Sequence, residues 1–213
     1  MKALQKWFGR RGALPLTAYL AALAVWVVLG AFHLASDSLA RAQGRLTEET
    51  MAATDWQLVG LTPNEDGTLT TVDGDPQMIL ENVGDRVVRT ISYTAQFDGE
   101  ARELCLYYTT KVGEDYSADR RVFPRSVGEG RYIYTLPRTS LAALRLDPCS
   151  PEENKTVTLT MSGITLNAAD TLPHFWQYFV PSWYQAFCLV LYPALAAAAV
   201  SMAAAIVPDR KRN

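Results

Sequence analysis

Two long stretches of this 213-residue chain contain no aspartate, glutamate, lysine or arginine, and they limit its possible folds more than any other feature. The first runs from Leu14 to Ala35, and the second runs from Thr171 to Pro208, with its most apolar part between Tyr184 and Val207. As a helix, the 22 residues of the first stretch span ~33 Å, enough to cross a hydrocarbon core of ~30 Å. The sequence therefore predicts two transmembrane helices.

Basic residues concentrate outside the two predicted spans. The two short tails together hold seven basic residues and one acidic residue, a net charge of +6, whereas residues 14–208 carry a net charge of −8. Short flanks rich in lysine and arginine stay on the cytoplasmic side of a membrane. We therefore expect a two-pass protein of the cell membrane, with both termini cytoplasmic and residues 36–183 extracytoplasmic.

A cleaved signal peptide is the alternative interpretation of the first span. Ser38 and Ala40 stand at the small-x-small spacing of a cleavage site. The apolar part of a signal peptide is usually about 7–15 residues long, shorter than this stretch, which favours a retained anchor.

The region between the spans has the pattern of short β-strands. In RTISYTAQF, apolar and polar residues alternate, and TVTLTM alternates in the same way. Period-two alternation, interrupted at short intervals by Gly, Pro, Asp or Asn, indicates a half-buried antiparallel sheet. About eight strands fit between Asp55 and Asn167, so we expect a mainly β ectodomain, a jelly-roll-like antiparallel β-sandwich held between two transmembrane α-helices.

These patterns divide the chain into seven segments. The polar residues after the first span look like a helical continuation of it, and aromatic residues crowd the outer end of the second span, where such rings prefer the headgroup layer. The expected segments are a cytoplasmic tail (1–13), transmembrane helix 1 (14–35), a helical stalk (36–53), the β-sandwich (54–167), an aromatic interfacial segment (168–183), transmembrane helix 2 (184–207) and a second cytoplasmic tail (208–213).

No catalytic motif is visible in the sequence. There is no C-x-x-C, H-E-x-x-H, Gly-rich phosphate loop or G-x-S-x-G, and the two histidines, His33 and His174, each stand at the outer end of a span. We therefore expect no enzyme activity and no cofactor, although a pair of carboxylates contributed by distant parts of the chain stays open. The net charge of −8 on the region between the tails repels phosphate, so nucleic acid is not an expected partner.

One acidic loop is a weak candidate for a calcium site. The segment PNEDGTLTTVDGD contains Asp66, Asp73 and Asp75, and carboxylate oxygens are ligands that Ca²⁺ prefers. The spacing is not that of an EF-hand, and Asp-Gly is also an ordinary turn sequence, so we expect no metal.

Tyrosines are the candidate sugar-binding residues. Tyr107 and Tyr108 are neighbours on one strand and must point to opposite faces, whereas Tyr132 and Tyr134 share a face. A cluster formed by Tyr108, Tyr132 and Tyr134 would offer rings on which a sugar can stack, and packing in the core is the alternative.

The cysteines divide by compartment. Cys188 lies inside the second span, where a single thiol behaves as a small apolar group, whereas Cys105 and Cys149 both lie outside, where disulfides persist. A pair in an oxidising compartment favours a Cys105–Cys149 disulfide. The alternative is that the fold keeps them farther apart than the roughly 7 Å between Cα atoms that a bridge allows.

Four short segments carry a resemblance to a known kind of domain. The segments are, in order, GTLTTVDGDPQMIL, LCLYYTT, SLAALRLDP and VTLTMSGITLN. Together they resemble a galactose-binding-like β-sandwich, similar to carbohydrate modules, that belongs to bacterial surface-polysaccharide machinery and occurs on glycosyltransferase-type membrane proteins. The resemblance covers about residues 54–167. It implies one signature at Asp75 and Pro76 and another at Arg145, Asp147 and Pro148. The chain lacks a glycosyltransferase domain, so no catalytic residue is carried over.

Arg145 and Asp75 are expected to interact. The resemblance pairs a basic residue at the position of Arg145 with an Asp-Pro signature elsewhere, and we expect a structural ion pair or backbone hydrogen bonds rather than a ligand contact.

The predicted membrane topology and the resemblance together give a functional hypothesis. We expect a non-catalytic, two-span membrane protein that displays a β-sandwich and binds a surface glycan or a membrane glycosyltransferase-type protein during surface-polysaccharide assembly. The alternative is a structural subunit of a membrane complex, with protein contacts in place of sugar contacts.

Overall fold

The structure, a computed structural model, describes residues 12–206 of the chain and the side chains of residues 12–203. The charged tails on which the predicted orientation rests lie outside these residues. The described chain consists mostly of antiparallel β-sheets, flanked by two apolar helices that are long enough to span a membrane.

Helix α1 covers Ala13–Ala42 and helix α2 covers Trp183–Ile206. Helix α1 contains the first predicted span, and helix α2 covers the second predicted span as far as Ile206, the last described residue. Pro15 lies in the first turn of α1, where its missing N–H costs nothing, and Pro193 lies inside α2. In the 18-residue apolar stretch of each candidate span, only 11% of the residues are buried, so most of these side chains face outward.

The end of α1 corrects the predicted helical stalk over residues 36–53. Gly44 adopts a left-handed conformation with φ of +69°, and the Arg45 N–H donates a hydrogen bond to the Ala40 carbonyl at 2.9 Å. This is the geometry with which glycine closes helices, so α1 ends at Ala42. The residues that follow turn away, and Glu49–Met51 form a β-strand instead of a stalk.

Thirteen strands lie between the helices, and three short 3₁₀ helices accompany them. The strands are β1 (Glu49–Met51), β2 (Gln57–Val59), β3 (Leu61–Pro63), β4 (Leu69–Thr71), β5 (Gln77–Leu80), β6 (Thr90–Phe97), β7 (Cys105–Thr109), β8 (Arg121–Val122), β9 (Arg125–Ser126), β10 (Arg131–Thr135), β11 (Ala143–Asp147), β12 (Thr158–Met161) and β13 (Ile164–Leu166). The 3₁₀ helices are Ala53–Asp55, Ala118–Arg120 and Phe175–Phe179.

The first sheet is organised around β6, its longest strand. The strand order is β1-β13-β6-β12-β4-β3, and β10 pairs with β6 and with β9. Strands β12 and β13 lie end to end along one edge of β6, while β10 occupies the other edge, and all pairs are antiparallel. Between β12 and β13, Ser162 keeps contact with β6, because its N–H donates to the Thr94 carbonyl at 2.8 Å.

The second sheet has five antiparallel strands in the order β2-β5-β11-β7-β8. Arg145 at the centre of β11 stands opposite Ile79 on one side and Tyr107 on the other. This register places the three side chains in one row across the sheet.

Both sheets contribute to a single apolar cluster. The second sheet supplies Met78, Leu106, Leu144 and Leu146, and the first supplies Ile91, Tyr93, Leu159 and Ile164. The seven aliphatic side chains are completely buried, and burying each contributes about 1.5–3 kcal/mol relative to leaving it exposed. The alternation in RTISYTAQF thus does identify the core face of β6.

The opposite face of β6 is more buried than alternation predicts. Thr90 and Ser92 are only 3% and 4% exposed. Asn167 covers the start of the strand, where its side-chain oxygen accepts a hydrogen bond from the Arg89 N–H at 2.7 Å and its amide donates to the Val87 carbonyl at 2.8 Å. A sequence pattern cannot show this cover, because Asn167 lies far from β6 in the chain.

The described chain forms two compact units. One comprises α1 up to Asp37 together with the chain from Pro173 onward, and the other comprises Ser38–Leu172 with all of the strands.

Candidate functional site

A charged cluster occupies the face of the second sheet that points away from the core. We call it the Arg145 face, defined by Asp75, Tyr107, Arg145 and Asp147. In β11, Leu144 and Leu146 point into the core, so Arg145 and Asp147 point out on the other side. Tyr107 reaches the same side from the neighbouring strand β7, and Asp75 comes from the turn before β5.

Arg145 holds this cluster together through three hydrogen bonds. Its Nε donates to Asp147 Oδ1 at 2.7 Å, and its Nη2 donates to Asp147 Oδ2 at 2.8 Å and to Asp75 Oδ1 at 2.9 Å. The Arg145 side chain is 19% exposed, Asp147 is 7% exposed and Asp75 is 67% exposed. The bond to Asp147 is therefore the buried part of the network, and the bond to Asp75 is its open edge.

Burial and pairing act in opposite directions on the two buried charges. Burial raises the pKa of the Asp147 carboxyl above its ordinary value, and the nearby Arg145 offsets only part of this effect. For Arg145, burial favours the neutral form, but the hydrogen bonds to Asp147 and the charges of both carboxylates outweigh it and raise the pKa. The guanidinium therefore stays charged.

An aromatic ring completes the Arg145 face. The Tyr107 ring centre lies 5.1 Å from the Arg145 guanidinium carbon, close enough for a cation–π contact. Half-buried Tyr116, from the loop after β7, also lies near; burial raises the pKa of its hydroxyl, while the charge of Arg145 opposes the rise.

The Arg145 face retains donors and acceptors for a ligand. Among the described residues, none accepts a hydrogen bond from Arg145 Nη1, which leaves its two N–H groups available beside the open carboxylate of Asp75. Gln77 donates to Asp75 Oδ2 at 2.6 Å and holds that carboxylate in place. An oriented guanidinium, a carboxylate and a tyrosine ring are groups that bind hydroxyl-rich molecules.

The structure corrects the predicted tyrosine platform. Tyr134 is fully buried, and its hydroxyl lies 3.1 Å from that of Tyr93, so it has no surface to offer a sugar. The Tyr132 ring packs at a tilt against that of Tyr93, with ring centres 5.6 Å apart, and Tyr108 packs against the core. The shared face of Tyr132 and Tyr134 is the inner one.

The predicted Cys105–Cys149 disulfide is wrong in the structure, where both thiols are free. Cys105 lies on the outer side of β7, with its thiol 3.7 Å from Asp147 Oδ2, whereas Cys149 is completely buried within the apolar cluster. They therefore lie on different sides of the second sheet. Burial raises the pKa of Cys105 to about 11 and that of Cys149 to about 12, which keeps both protonated at neutral pH.

The weak calcium candidates do not form a site. Asp66 accepts hydrogen bonds from the backbone and hydroxyl of Thr68, and Asp73 accepts one from the Asp75 N–H at 3.0 Å. These are contacts within turns, and residues 12–206 contain no group of three or more His, Cys, Asp or Glu residues arranged to hold a metal.

The compact unit that contains α2 is held by polar contacts between its segments. Tyr19 of α1 donates to the Val190 carbonyl of α2 at 2.9 Å, three residues before Pro193. The Trp26 indole N–H donates to the Phe179 carbonyl at 3.1 Å. A side chain at Gly30 would place its Cβ atom 2.8 Å from the Tyr178 carbonyl oxygen, so only glycine permits this approach.

Sequence reasoning missed two residues that matter. Asp37 is completely buried, and its carboxylate accepts a hydrogen bond from Tyr178 at 2.8 Å; the signal was an acid placed just after the first uncharged stretch. Tyr107 rather than Tyr108 joins the Arg145 face. Leu106 is buried in the core, so its neighbour Tyr107 must point to the opposite face of the sheet. This signal is usable only once the core side of β7 is known.

Comparisons with known proteins give limited similarity. No protein-family profile and no curated protein sequence matches the chain. A solved low-affinity xylan-binding module, CBM86, from the gut symbiont Roseburia intestinalis shares 14% identity with a TM-score of 0.37, over 56% of this chain and 94% of that one. A family two carbohydrate esterase from Cellvibrio japonicus shares 16% identity with a TM-score of 0.35, over 56% of this chain and 33% of that one. Similarity at these TM-scores carries no argument about the fold or the function of this chain.

Proposed function

We propose that this protein is a non-catalytic, two-span membrane protein that displays its β domain on the outer side of the membrane. One observation carries this proposal: the apolar side chains of both helices face outward. Val28 and Phe32 in α1 are each 66% exposed, and Val190 in α2 is 63% exposed. In water such a surface would be strongly unfavourable, whereas in lipid it is the expected one.

The β domain is then the functional part. We propose that its two sheets are the layers of a jelly-roll-like sandwich around the shared apolar cluster, and that the Arg145 face binds a surface glycan during polysaccharide assembly. The open Arg145 N–H groups, the exposed Asp75 carboxylate and the Tyr107 ring support this role. The carboxylate of Asp147 is occupied by Arg145, which favours binding over acid–base catalysis.

The full-length chain in mild detergent, probed on an array of bacterial surface glycans, tests this proposal. Binding should fall strongly in Arg145→Lys, which keeps a positive charge beside Asp147 but removes the forked donors of the guanidinium. Glu65→Gln changes an exposed carboxylate outside the Arg145 face and should bind as the wild type does. Equal binding by Arg145→Lys, with an unchanged melting temperature, would reject the Arg145 face as the glycan site.

A second candidate function is that of a structural subunit in a membrane complex. An apolar groove of about 650 Å³ runs between α1 and α2 and is lined in part by Ala18, Ala22, Cys188 and Ala196. Small residues allow a further helix to approach closely. Purification in mild detergent followed by mass spectrometry separates the two candidates, because a stoichiometric membrane partner without glycan binding would favour the subunit.

A further inference from the structure

The chain just before α2 exposes large apolar side chains although it is not part of that helix. We call residues 173–182 the entry segment; its helical part is the 3₁₀ helix Phe175–Phe179. Phe175 is 72% exposed, Trp176 is 52% exposed and Val180 is 54% exposed. The sequence from Thr171 to Pro208 contains no Asp, Glu, Lys or Arg, so no charge keeps this segment in water.

Two contacts show where the entry segment lies along α1. The Trp26 indole N–H donates to the Phe179 carbonyl at 3.1 Å, and a Cβ atom at Gly30 would lie 2.8 Å from the Tyr178 carbonyl oxygen. With the rise of an α-helix, Gly30 and Trp26 lie ~8 Å and ~14 Å inward from Ala35, where the first predicted span ends. The backbone at Tyr178 and Phe179 is therefore level with the interior of that span.

The start of α2 lies equally far inward. Tyr19 donates to the Val190 carbonyl at 2.9 Å. Tyr19 precedes Trp26 by seven residues, and Val190 follows Trp183, the first residue of α2, by seven residues. Because the two helices run in opposite directions, Trp183 is about level with Trp26. The entry segment, rather than a helix, thus lies beside the outer part of α1.

Charges place α1 in the membrane. Arg10 and Arg11 come just before the start of α1 in the sequence, and charged side chains are unfavourable inside hydrocarbon. The hydrocarbon layer therefore begins near Ala13, and its thickness of ~30 Å covers about 20 residues of helix, as far as the region of Ala35. Asp37, the first charged residue after the span, then lies just outside. The entry segment reaches into the outer half of this layer.

Neutral side chains satisfy the backbone where the entry segment is irregular. The His174 N–H donates to Gln177 Oε1 at 2.6 Å, and the Ser182 N–H donates to Gln185 Oε1 at 2.8 Å. The Ser182 hydroxyl in turn accepts the Gln185 N–H at 3.3 Å, which completes a capping box with glutamine in place of the charged glutamate. Irregular backbone is tolerated at membrane depth only when such partners satisfy it without water.

We propose that the entry segment is re-entrant: it enters the outer leaflet from outside, and its exposed Phe175, Trp176 and Val180 side chains contact lipid acyl chains. This places it deeper than the headgroup layer that its aromatic content alone suggests. The occupant is lipid because this surface continues the outward-facing apolar surface of α1, where Val28 and Phe32 are each 66% exposed. The inference rests on the proposed two-span function and adds a second element to the outer leaflet.

Spin labels on single cysteines measure the depth directly, in the full-length chain reconstituted into phosphatidylcholine vesicles. Cys188→Ala is the background, since Cys105 and Cys149 are buried. Labels at Val180→Cys and at Trp183→Cys, a residue that is 93% exposed, should collide often with oxygen, which concentrates in hydrocarbon. Both labels should lose nearly all collisions with a water-soluble nickel chelate, relative to a label at Val112→Cys, which is 92% exposed in the β domain.

Val28→Cys, on the lipid-facing side of α1, is the matched control and should behave as the two test labels do. The proposal is overturned if the label at Val180 or at Trp183 meets the nickel chelate as freely as the Val112 label does while Val28 stays in lipid. It is also overturned if either test label is shielded from both reagents, because protein rather than lipid would then cover the segment. A Val28 label open to the nickel chelate would instead reject the two-span proposal itself.

Discussion

At the residue scale, the central interaction of the β domain is the contact between Arg145 and Asp147. The Arg145→Ala variant leaves the carboxylate of Asp147 buried without a partner. We expect it to lower the free energy of unfolding by about 3 kcal/mol, the lower end of the range for breaking a buried pair. Asp75→Ala removes an exposed partner and should cost less than about 1 kcal/mol.

Urea denaturation of the detergent-solubilised chain measures both values. Equal losses in the two variants would mean that Asp75, and not Asp147, is the main partner of Arg145.

The free thiols give a second prediction for individual residues. Because burial holds both Cys105 and Cys149 in the protonated form by raising the pKa of each thiol, neither should react with N-ethylmaleimide at neutral pH until the chain is unfolded. Mass mapping of labelled peptides measures this, and a Cys105–Cys149 linked peptide in a non-reducing digest would contradict the free-thiol geometry.

Glu114 is expected to make the stability of the β domain depend on pH in the acidic range. Its carboxylate pairs with Arg120 and accepts the Thr110 N–H at 3.0 Å, and these contacts lower its pKa from 4.5 to about 2. A lowered pKa in the folded state stabilises above the unfolded pKa, and this contribution disappears as the pH falls from about 4.5 to about 2.

Glu114→Gln should therefore flatten the fall in melting temperature across this pH range. Glu65→Gln, which changes an exposed carboxylate, is the control and should keep the wild-type slope. The same slope in Glu114→Gln would show that this carboxylate is not the titrating group.

At the scale of elements, Gly30 controls how α1 meets the segment Phe175–Phe179. A Cβ atom at this position would lie 2.7 Å from the Phe179 ring and 2.8 Å from the Tyr178 carbonyl. Gly30→Ala should therefore destabilise this unit by about 1–3 kcal/mol through steric overlap, although alanine is the better helix former.

The midpoint of unfolding in sodium dodecyl sulfate measures this loss. Ala31→Leu, at an exposed position of the same helix, should shift the midpoint by less than about 0.5 kcal/mol. A midpoint for Gly30→Ala equal to that of the wild type would exclude the close approach.

Local patterns in the sequence predict the elements better than their endings. The uncharged stretches and the alternation in RTISYTAQF depend on nearest neighbours, and the helices and β6 follow them. The end of α1 depends on the left-handed Gly44, and the cover over the start of β6 depends on Asn167, which is distant in the chain. Distant contacts of this kind leave no periodic signal.

The sequence predicts the residues of a site only where the side of the strand that faces the core is already known. Asp75 and Arg145 carry a sequence signature and lie 2.9 Å apart. The sequence suggests a sugar-stacking role for Tyr134, but this side chain is completely buried, because the side of the sheet that faces the core is set by packing between sheets. Because neighbouring side chains of a strand point to opposite faces, an error of one residue in choosing the core side of β7 places Tyr108 on the Arg145 face instead of Tyr107.

At the scale of the whole molecule, two apolar helices separate the β domain from both charged tails along the chain. If the helices cross the membrane, the tails lie on one side and residues 36–183 on the other. The net charges of +6 and −8 favour cytoplasmic tails. The proposed contact with a glycan requires this arrangement, since the Arg145 face belongs to the β domain.

Labelling of single cysteines in intact cells with a membrane-impermeant maleimide tests this arrangement most directly. Val112→Cys places a probe at a residue that is 92% exposed in the β domain, and Lys2→Cys and Lys211→Cys place probes in the two tails. Val112→Cys should be labelled in intact cells, and the two tail probes should be labelled only after the membrane is permeabilised. Labelling of either tail in intact cells, or of Val112→Cys only after permeabilisation, would contradict the two-span protein with an external β domain.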